Sequence, residues 1–318
     1  MPDSTKRKVN ISTTLILFIV LMAMVIVFSV LSSDFYSFYN IKSMLTNIAF
    51  SGIVASTLTL LLITGGLDFS FGGNIALTGC LVAFLYDRQL GIPVVVIVLI
   101  GLCLGAVIGL FNGYIITRLD LNPIVTTIGT MAITRGLGYV LTKGRSILIL
   151  EDVVGFIGRG EIAKIPVPLI LFIIVVVVLT FTLGRSKFGR KVFCIGANQE
   201  AAKVSGIKVN RVKFLLYLFS GIAGAVSGLI LTGQTAVGMP QHATGVELDV
   251  ITAVLLGGTA LLGGKGSILG TLAGVLILGV LYNGFTMIGF RYVHIKVFQG
   301  IILIVVVALY ELREKKKY

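Results

Sequence analysis

The chain has 318 residues, of which 56% are hydrophobic and only 12% charged, where a soluble chain carries about a quarter charged residues. That composition excludes an ordinary soluble enzyme. A net charge of +13, which in a soluble protein would suggest nucleic acid, here has to be read through its position along the chain, as membrane topology.

Uncharged runs of the ~20 helical residues needed to cross a ~30 Å hydrocarbon core recur from end to end. The alternating pattern of a β-barrel is absent. The sequence therefore predicts an all-α, polytopic integral membrane protein, with residues 1–318 forming a single transmembrane domain. The first apolar run, 11–33, follows Lys6, Arg7 and Lys8. It is too long for the core of a typical signal peptide and lacks a clear small-x-small cleavage site, so it is expected to be a retained span.

Dividing the remainder at charges, prolines and glycine clusters predicts about ten membrane segments: 12–32, 43–64, 74–86, 93–117, 123–142, 166–184, 214–233, 249–262, 267–289 and 293–310. The third and eighth are too short to cross without help from adjoining non-helical backbone, and the last is short unless Lys296 snorkels. Ten crossings from a cytoplasmic amino terminus leave Arg135 inside a span and divide the other basic residues as 17 inside against 8 outside. The inner set includes Lys6, Arg7, Lys8, Arg118, Lys265, a carboxy-terminal cluster at 313–317 and eight residues in 185–213. The outer set is Lys42, Arg88, Lys143, Arg145, Arg159, Lys164, Arg291 and Lys296. The positive-inside rule then predicts that both termini, and the loop 185–213, are cytoplasmic.

Between the second and third segments, "ITGGLDFSFGGN" (63–74) sets Gly65, Gly66, Gly72 and Gly73 around Asp68. A second cluster, "GGTALLGGKGS" (257–267), contains Gly257, Gly258, Gly263 and Gly264. Glycines permit irregular backbone, and glycine-broken helices are tolerated where they are buried in protein or line a cavity. These residues are candidates for helix breaks or gating, and the topology puts both clusters near the cytoplasmic end. An ionisable residue at membrane depth is a functional-site hypothesis by default. Asp68 reads either as a cap or internal pair, with Arg135 as a possible partner, or as a switch near a translocation path.

Each cluster is followed by an Asn-Gly pair, Asn112 with Gly113 and Asn283 with Gly284, at unequal intervals that leave an internal repeat open. Gly105, Gly109, Gly270 and Gly274 read as positions where helices approach closely.

Motifs for chemistry are missing. "GTALLGGKG" at Gly258 and "GRSKFGRKV" at Gly184 approach a GxxxxGK[ST] phosphate loop, but neither puts a lysine and a hydroxyl where the motif requires. "GRGEIA" (158–163) imitates a dinucleotide fingerprint in a polar loop with no preceding strand. Cys80, Cys103 and Cys194 lack metal-ligand spacing and are expected to be small buried residues. His242 and His294 are isolated, so a structural or surface role is expected and no metal site.

The polar stretch "QEAAKVSG" (199–206) stands out in an apolar chain. Asn198 is a favoured N-cap, 199–205 suits a two-turn helix, and Gly206 is a natural left-handed C′ residue. A helix this short is marginal alone in water and needs packing against its own chain or a docked partner.

Glu200, Ala201, Ala202 and Gly206 also match the EAA…G loop motif of ABC-importer permeases. The wider strings "GRKVFCIGANQEAAKVSGIKVNRVKFLLYLFSGIAGAVSGLI", "TGGLDFSFGGNIALTG" and "ELDVITAVLLGGTALLGGKGSILGTLAGVLILGVLYNG" keep the order expected of the same family. From about residue 40 to 310 the chain resembles the ABC permease family for ribose, other monosaccharides and autoinducer-type sugars. It departs from the longer EAA consensus in lacking the I-x-L-P tail after Gly206, as this sugar branch generally does.

The resemblance implies that Asn198, Gln199, Glu200, Ala201, Ala202 and Gly206 form a coupling helix seated in a groove of a separate ATPase subunit. ATP and Mg would be held by that partner, with no cofactor and no catalytic residue in this chain. It further implies an extracytoplasmic substrate-binding protein, which would meet the outward loops 143–165 and 234–248. A second permease copy or homologue would complete a dimer, with the pathway at their interface, in the bacterial cytoplasmic (inner) membrane. Nucleosides and autoinducer-type sugars remain as alternative cargoes. The alternative class is an ion-coupled secondary transporter acting alone.

Overall fold

A computed structural model describes residues 13–150 and 152–315. Lys6, Arg7, Lys8, Glu151, Lys316 and Lys317 lie outside the described residues. In chain order the elements begin with α1 (Thr13–Leu31), α2 (Phe38–Ile63), α3 (Phe71–Asp87), α4 (Val94–Arg118) and α5 (Pro123–Thr142). A small extramembrane cap follows: β1 (Ile147–Leu148), α6 (Asp152–Arg159), β2 (Glu161–Ile162) and β3 (Ile165–Pro166). Next come α7 (Val167–Arg185), α8 (Lys187–Ala197), α9 (Gln199–Val204), α10 (Val209–Thr235) and β4 (Val237–Gly238). The chain closes with α11 (Val246–Leu256), α12 (Ile268–Met287) and α13 (Tyr292–Lys315).

Among the described residues, seven helices, α1, α2, α4, α5, α7, α10 and α12, are long and apolar enough to cross a membrane. The protein is all-α and polytopic. Helix starts follow from capping chemistry. The Asn40 amide donates to Ser37 Oγ at 3.2 Å at the head of α2, and the Gly270 amide donates to Ser267 Oγ at 2.8 Å at the head of α12. Asn122 caps α5, with Pro123 in the first turn, where its missing N–H costs nothing. The eighth predicted segment is shortened: α11 stops at Leu256, and a turn through Gly257 and Gly258 follows.

The helices pack around α2, whose most apolar stretch is 78% buried, against 11% for peripheral α1. The most extensive helix pair is α4 with α10. Their close crossing is set by small residues: a β-carbon on Gly105 would sit 2.5 Å from the Gly221 carbonyl oxygen. A reciprocal amide pair ties α2 to α12: Asn40 Nδ2 donates to Asn283 Oδ1, and Asn283 Nδ2 to Asn40 Oδ1, both at 2.8 Å.

The connections gather at two ends. At one, Asn210 Nδ2 donates to the Thr117 carbonyl oxygen at 2.7 Å and the Gly264 amide to the Ile63 carbonyl oxygen at 2.9 Å, beside α8 and α9. At the other, β1 pairs antiparallel with β4 and β2 with β3. There Lys42 forms an ion pair with Glu161. The outward loop 143–165 thus carries structure of its own, and Val154 on α6 is fully buried.

Candidate functional site

Capping chemistry builds α9 as the sequence predicts. The Ala201 amide donates to Asn198 Oδ1 at 2.9 Å. At the other end the Gly206 amide donates to the Lys203 carbonyl oxygen and the Ile207 amide to the Ala202 carbonyl oxygen, both at 3.0 Å. Those two bonds form a Schellman motif, which requires the left-handed φ of +80° found at Gly206. Ala202 faces the protein and is 4% exposed, whereas Glu200 and Lys203 pair with each other in solvent at 2.7 Å. Gln199 Oε1 accepts from Lys213 Nζ at 2.7 Å, which ties α9 to α10. Val204 is left 90% exposed at the tip.

α9 does not rest on the membrane helices alone. It hangs from α8, capped by Ser186, whose Oγ accepts from the Gly189 amide at 3.0 Å. The sequence reading missed α8, although Phe188, Val192 and Ile195 recur at the i, i+4, i+7 spacing of a helix face, and Val192 and Ile195 are buried. It also missed Gly196, where three segments touch. A β-carbon there would overlap the Ile63 carbonyl oxygen at the end of α2 and lie 2.6 Å from the Gly264 nitrogen. The two predicted glycine breaks therefore meet each other, and both meet the base of α9.

Within the first break, Gly65 has φ +73° and leads into Gly66, where an added β-carbon would lie 3.3 Å from the Tyr217 hydroxyl. That hydroxyl donates to the Leu67 carbonyl oxygen at 3.1 Å. Asp68 is 1% exposed. Its Oδ1 accepts from the Ser70 amide at 2.8 Å and from Ser70 Oγ at 2.6 Å, and its Oδ2 accepts from Ser220 Oγ at 2.6 Å. The chain of bonds continues: Asn112 Nδ2 donates to Ser70 Oγ at 2.8 Å, and Thr130 Oγ1 donates to Asn112 Oδ1 at 2.6 Å. One carboxylate thus links the break to α10 directly and, through Ser70 and Asn112, to α4 and α5.

This placement corrects one expectation. Asp68 is not paired with Arg135. The Arg135 guanidinium instead donates to the Pro240 carbonyl oxygen at 2.9 Å and to Thr244 Oγ1 at 2.9 Å, and pairs with Glu247 at 3.4 Å. The first break opens at the same end as α8 and α9, where Ile63 closes α2, and runs inward from there to Asp68 and Ser70. Ser220 and Thr130 lie roughly 16 and 10 Å along α10 and α5, at 1.5 Å per residue.

Gly72 and Gly73 are close-packing positions at this depth. Gly72 abuts the Glu247 side chain, and a β-carbon on Gly73 would lie 2.6 Å from the Met131 carbonyl oxygen. Glu247, expected on an outward rim, is 8% exposed. The second break lies at a helix end. Gly257 packs on the Gly270 carbonyl oxygen, and Gly258, Gly263 and Gly264 take φ of +86°, +91° and +79°. Leu262 at its tip is 84% exposed.

Of the cysteines, only Cys80 is buried; Cys103 and Cys194 are exposed, Cys103 because it lies on the outer face of α4. His242 is buried with neither ring nitrogen hydrogen-bonded, and burial pushes its imidazole below the usual value. Asn112 and Ser220 carried one available signal: each is an isolated polar residue inside an apolar run, which membrane burial makes costly unless it is paired.

Residues 40–307 match the family model described as "Branched-chain amino acid transport system / permease component". The chain is 40% identical over 294 residues to the ribose import permease of Bacillus subtilis (strain 168), covering 92% of this chain and 91% of the relative. It is 34% identical over 303 residues to the ribose import permease of Escherichia coli (strain K12), covering 94% and 92%. It is 32% identical over 284 residues to the L-arabinose transport system permease of the same strain, covering 89% and 86%. No solved structure matches.

Proposed function

The chain belongs to the family of permease components described for branched-chain amino acid transport systems, and from that premise we propose that it is the membrane-spanning subunit of an ATP-driven importer for a monosaccharide, of the ribose type. The observation that carries the sugar is the near full-length similarity to permeases named for ribose and for L-arabinose, despite the amino-acid wording of the family description. In this reading the chain crosses the bacterial inner membrane ten times with both termini in the cytoplasm, α3, α11 and α13 supplementing the seven long helices. The end bearing α8 and α9 faces the cytoplasm, consistent with its basic residues. ATP and Mg are bound by a separate ATPase, a substrate-binding protein docks at the opposite end, and a second permease copy or homologue completes the assembly.

The mechanism is alternating access driven from α9. Closure of the ATPase on ATP displaces α9, and α8 carries that displacement to Gly196. There both breaks are in contact with α8, so a shift of about an ångström is passed to α2, α3, α11 and α12 together. The packed interior favours discrete arrangements over gradual bending.

Gly206→Pro is incompatible with the left-handed turn that closes α9, and Ala202→Trp has no room on its buried side. In proteoliposomes containing ATPase and binding protein, both variants are expected to insert and to support ATP hydrolysis while sugar uptake is lost. Wild-type uptake by Gly206→Pro would sink the coupling role. Uptake that persists after ATP depletion, with an ion gradient held, would refute the ATP-driven reading in favour of a secondary transporter.

A further inference from the structure

One face of α2 has no part in the coupling path. Tyr39, Ser43, Asn47 and Ser51 recur every fourth residue, and so form one stripe along a membrane-crossing helix. Ser51 Oγ donates to the Ile48 carbonyl oxygen at 3.1 Å, whereas Ser43 and Asn47 have no side-chain hydrogen-bond partner among the described residues. Unpaired amides and hydroxyls facing hydrocarbon are strongly disfavoured. The stripe instead lines a cavity of about 460 Å³ between α2, α11 and α12. That volume falls within the ~300–1,000 Å³ of small-molecule sites, which combine apolar walls with a few placed polar groups.

Across the cavity stand Asp249 and Tyr282. Asp249 is the one acidic residue of its lining; Oδ1 accepts from the Tyr282 hydroxyl at 2.9 Å and Oδ2 pairs with Lys296 at 3.2 Å. The remaining polar groups are uncharged. An amino acid would need a cation for its carboxylate and an anion for its ammonium, and the two charges here are engaged with each other. Sugar hydroxyls both donate and accept, as do Ser43, Asn47 and Tyr282.

We propose that this cavity is a binding site for a neutral polyol, a monosaccharide held by Ser43 and Asn47 on one side and by Asp249 and Tyr282 on the other. The permease then selects its cargo itself, in addition to any selection by a binding protein. The inference rests on the importer reading above.

D-Ribose uptake by wild-type proteoliposomes containing ATPase and binding protein is measured first; its absence refutes the importer reading and this site with it. Ser43→Cys is then introduced beside Cys103→Ala and Cys194→Ala, leaving only buried Cys80, and the assembled transporter in nanodiscs is treated with a water-soluble maleimide. Labelling of Ser43→Cys is expected to slow about fivefold at saturating D-ribose and not at all with L-leucine. With uptake present, no labelling, labelling indifferent to D-ribose, or protection by L-leucine would each overturn the site while leaving the importer reading intact. Independently, Asn47→Leu is expected to lower uptake about tenfold while the variant still assembles with its ATPase in wild-type yield. Wild-type uptake by this variant would overturn the role of Asn47.

Discussion

The two glycine breaks look alike in sequence and are held in different ways. The first, around Asp68, lies inside the bundle and is fastened by side chains: Ser70, Ser220, Asn112 and Thr130 form one continuous hydrogen-bonded chain with the carboxylate. The second, 257–267, lies at a helix end and is fastened mainly by backbone, with Ala260 donating to the Lys265 carbonyl oxygen and Gly264 to that of Ile63, both at 2.9 Å. Buried polar networks specify one arrangement because every disrupted bond leaves an unpaired group. A backbone turn through left-handed glycines has softer alternatives. On that ground the first break is expected to act as a strut and the second to yield, and Gly196 on α8 touches both.

The largest effect tests the strut. Asp68→Ala strips the acceptor from Ser70 and Ser220 in a dry site and is expected to destabilise the protein by about 3 kcal/mol, read as a lower unfolding midpoint in detergent. Little change there, with unfolding caused by Gly264→Ala instead, would invert the comparison. Gly196→Val overfills the junction and is expected to cost about 2 kcal/mol. In proteoliposomes it should cut sugar uptake more deeply than folded yield. Gly264→Ala places a side chain at φ +79° and is expected to cost about 1 kcal/mol, with altered coupling between ATP hydrolysis and uptake as its main signature. If uptake per ATP is unchanged, the second break is not the yielding one.

The smallest effect concerns the connection between β4 and α11. His242 has its folded pKa lowered by burial, so the unfolded chain binds more protons as pH falls below the ordinary value of about 6.5. Stability is fully present above that pH and declines below it. His242→Phe should flatten the acid limb of a thermal-stability profile, and an unchanged limb would assign acid sensitivity elsewhere.

The class of fold was legible because membrane burial writes itself into composition, and α9 was legible because its caps are local: Asn198 and Gly206 need only their neighbours. The positions of the breaks were legible for the same reason. Their meeting was not, since Gly196, Ile63 and Gly264 come from distant parts of the chain and no local rule pairs them. Asp68 was singled out, but Ser220, which completes its hydrogen bonding, lies 152 residues away. Glu247, the carboxylate that Arg135 does meet, falls in a segment that reads as an outward loop, whereas in the fold it is buried at the start of α11. The polar face of α2 could have been read from its spacing. The apolar residues between its members concealed the period.

The amide pair between Asn40 and Asn283 has a kinematic consequence. Each side chain gives and takes one bond with the other, so separating the two helices would break both at once and leave Asn40 only its bond to the Phe35 carbonyl oxygen. α2 and α12 therefore travel as a single plate. Any widening or narrowing of the chamber between them falls to the third wall, α11, which is only 11 residues long. It is held at its head by Arg135 and Lys296 and runs at its foot into the softer second break, so it is expected to swing about its head.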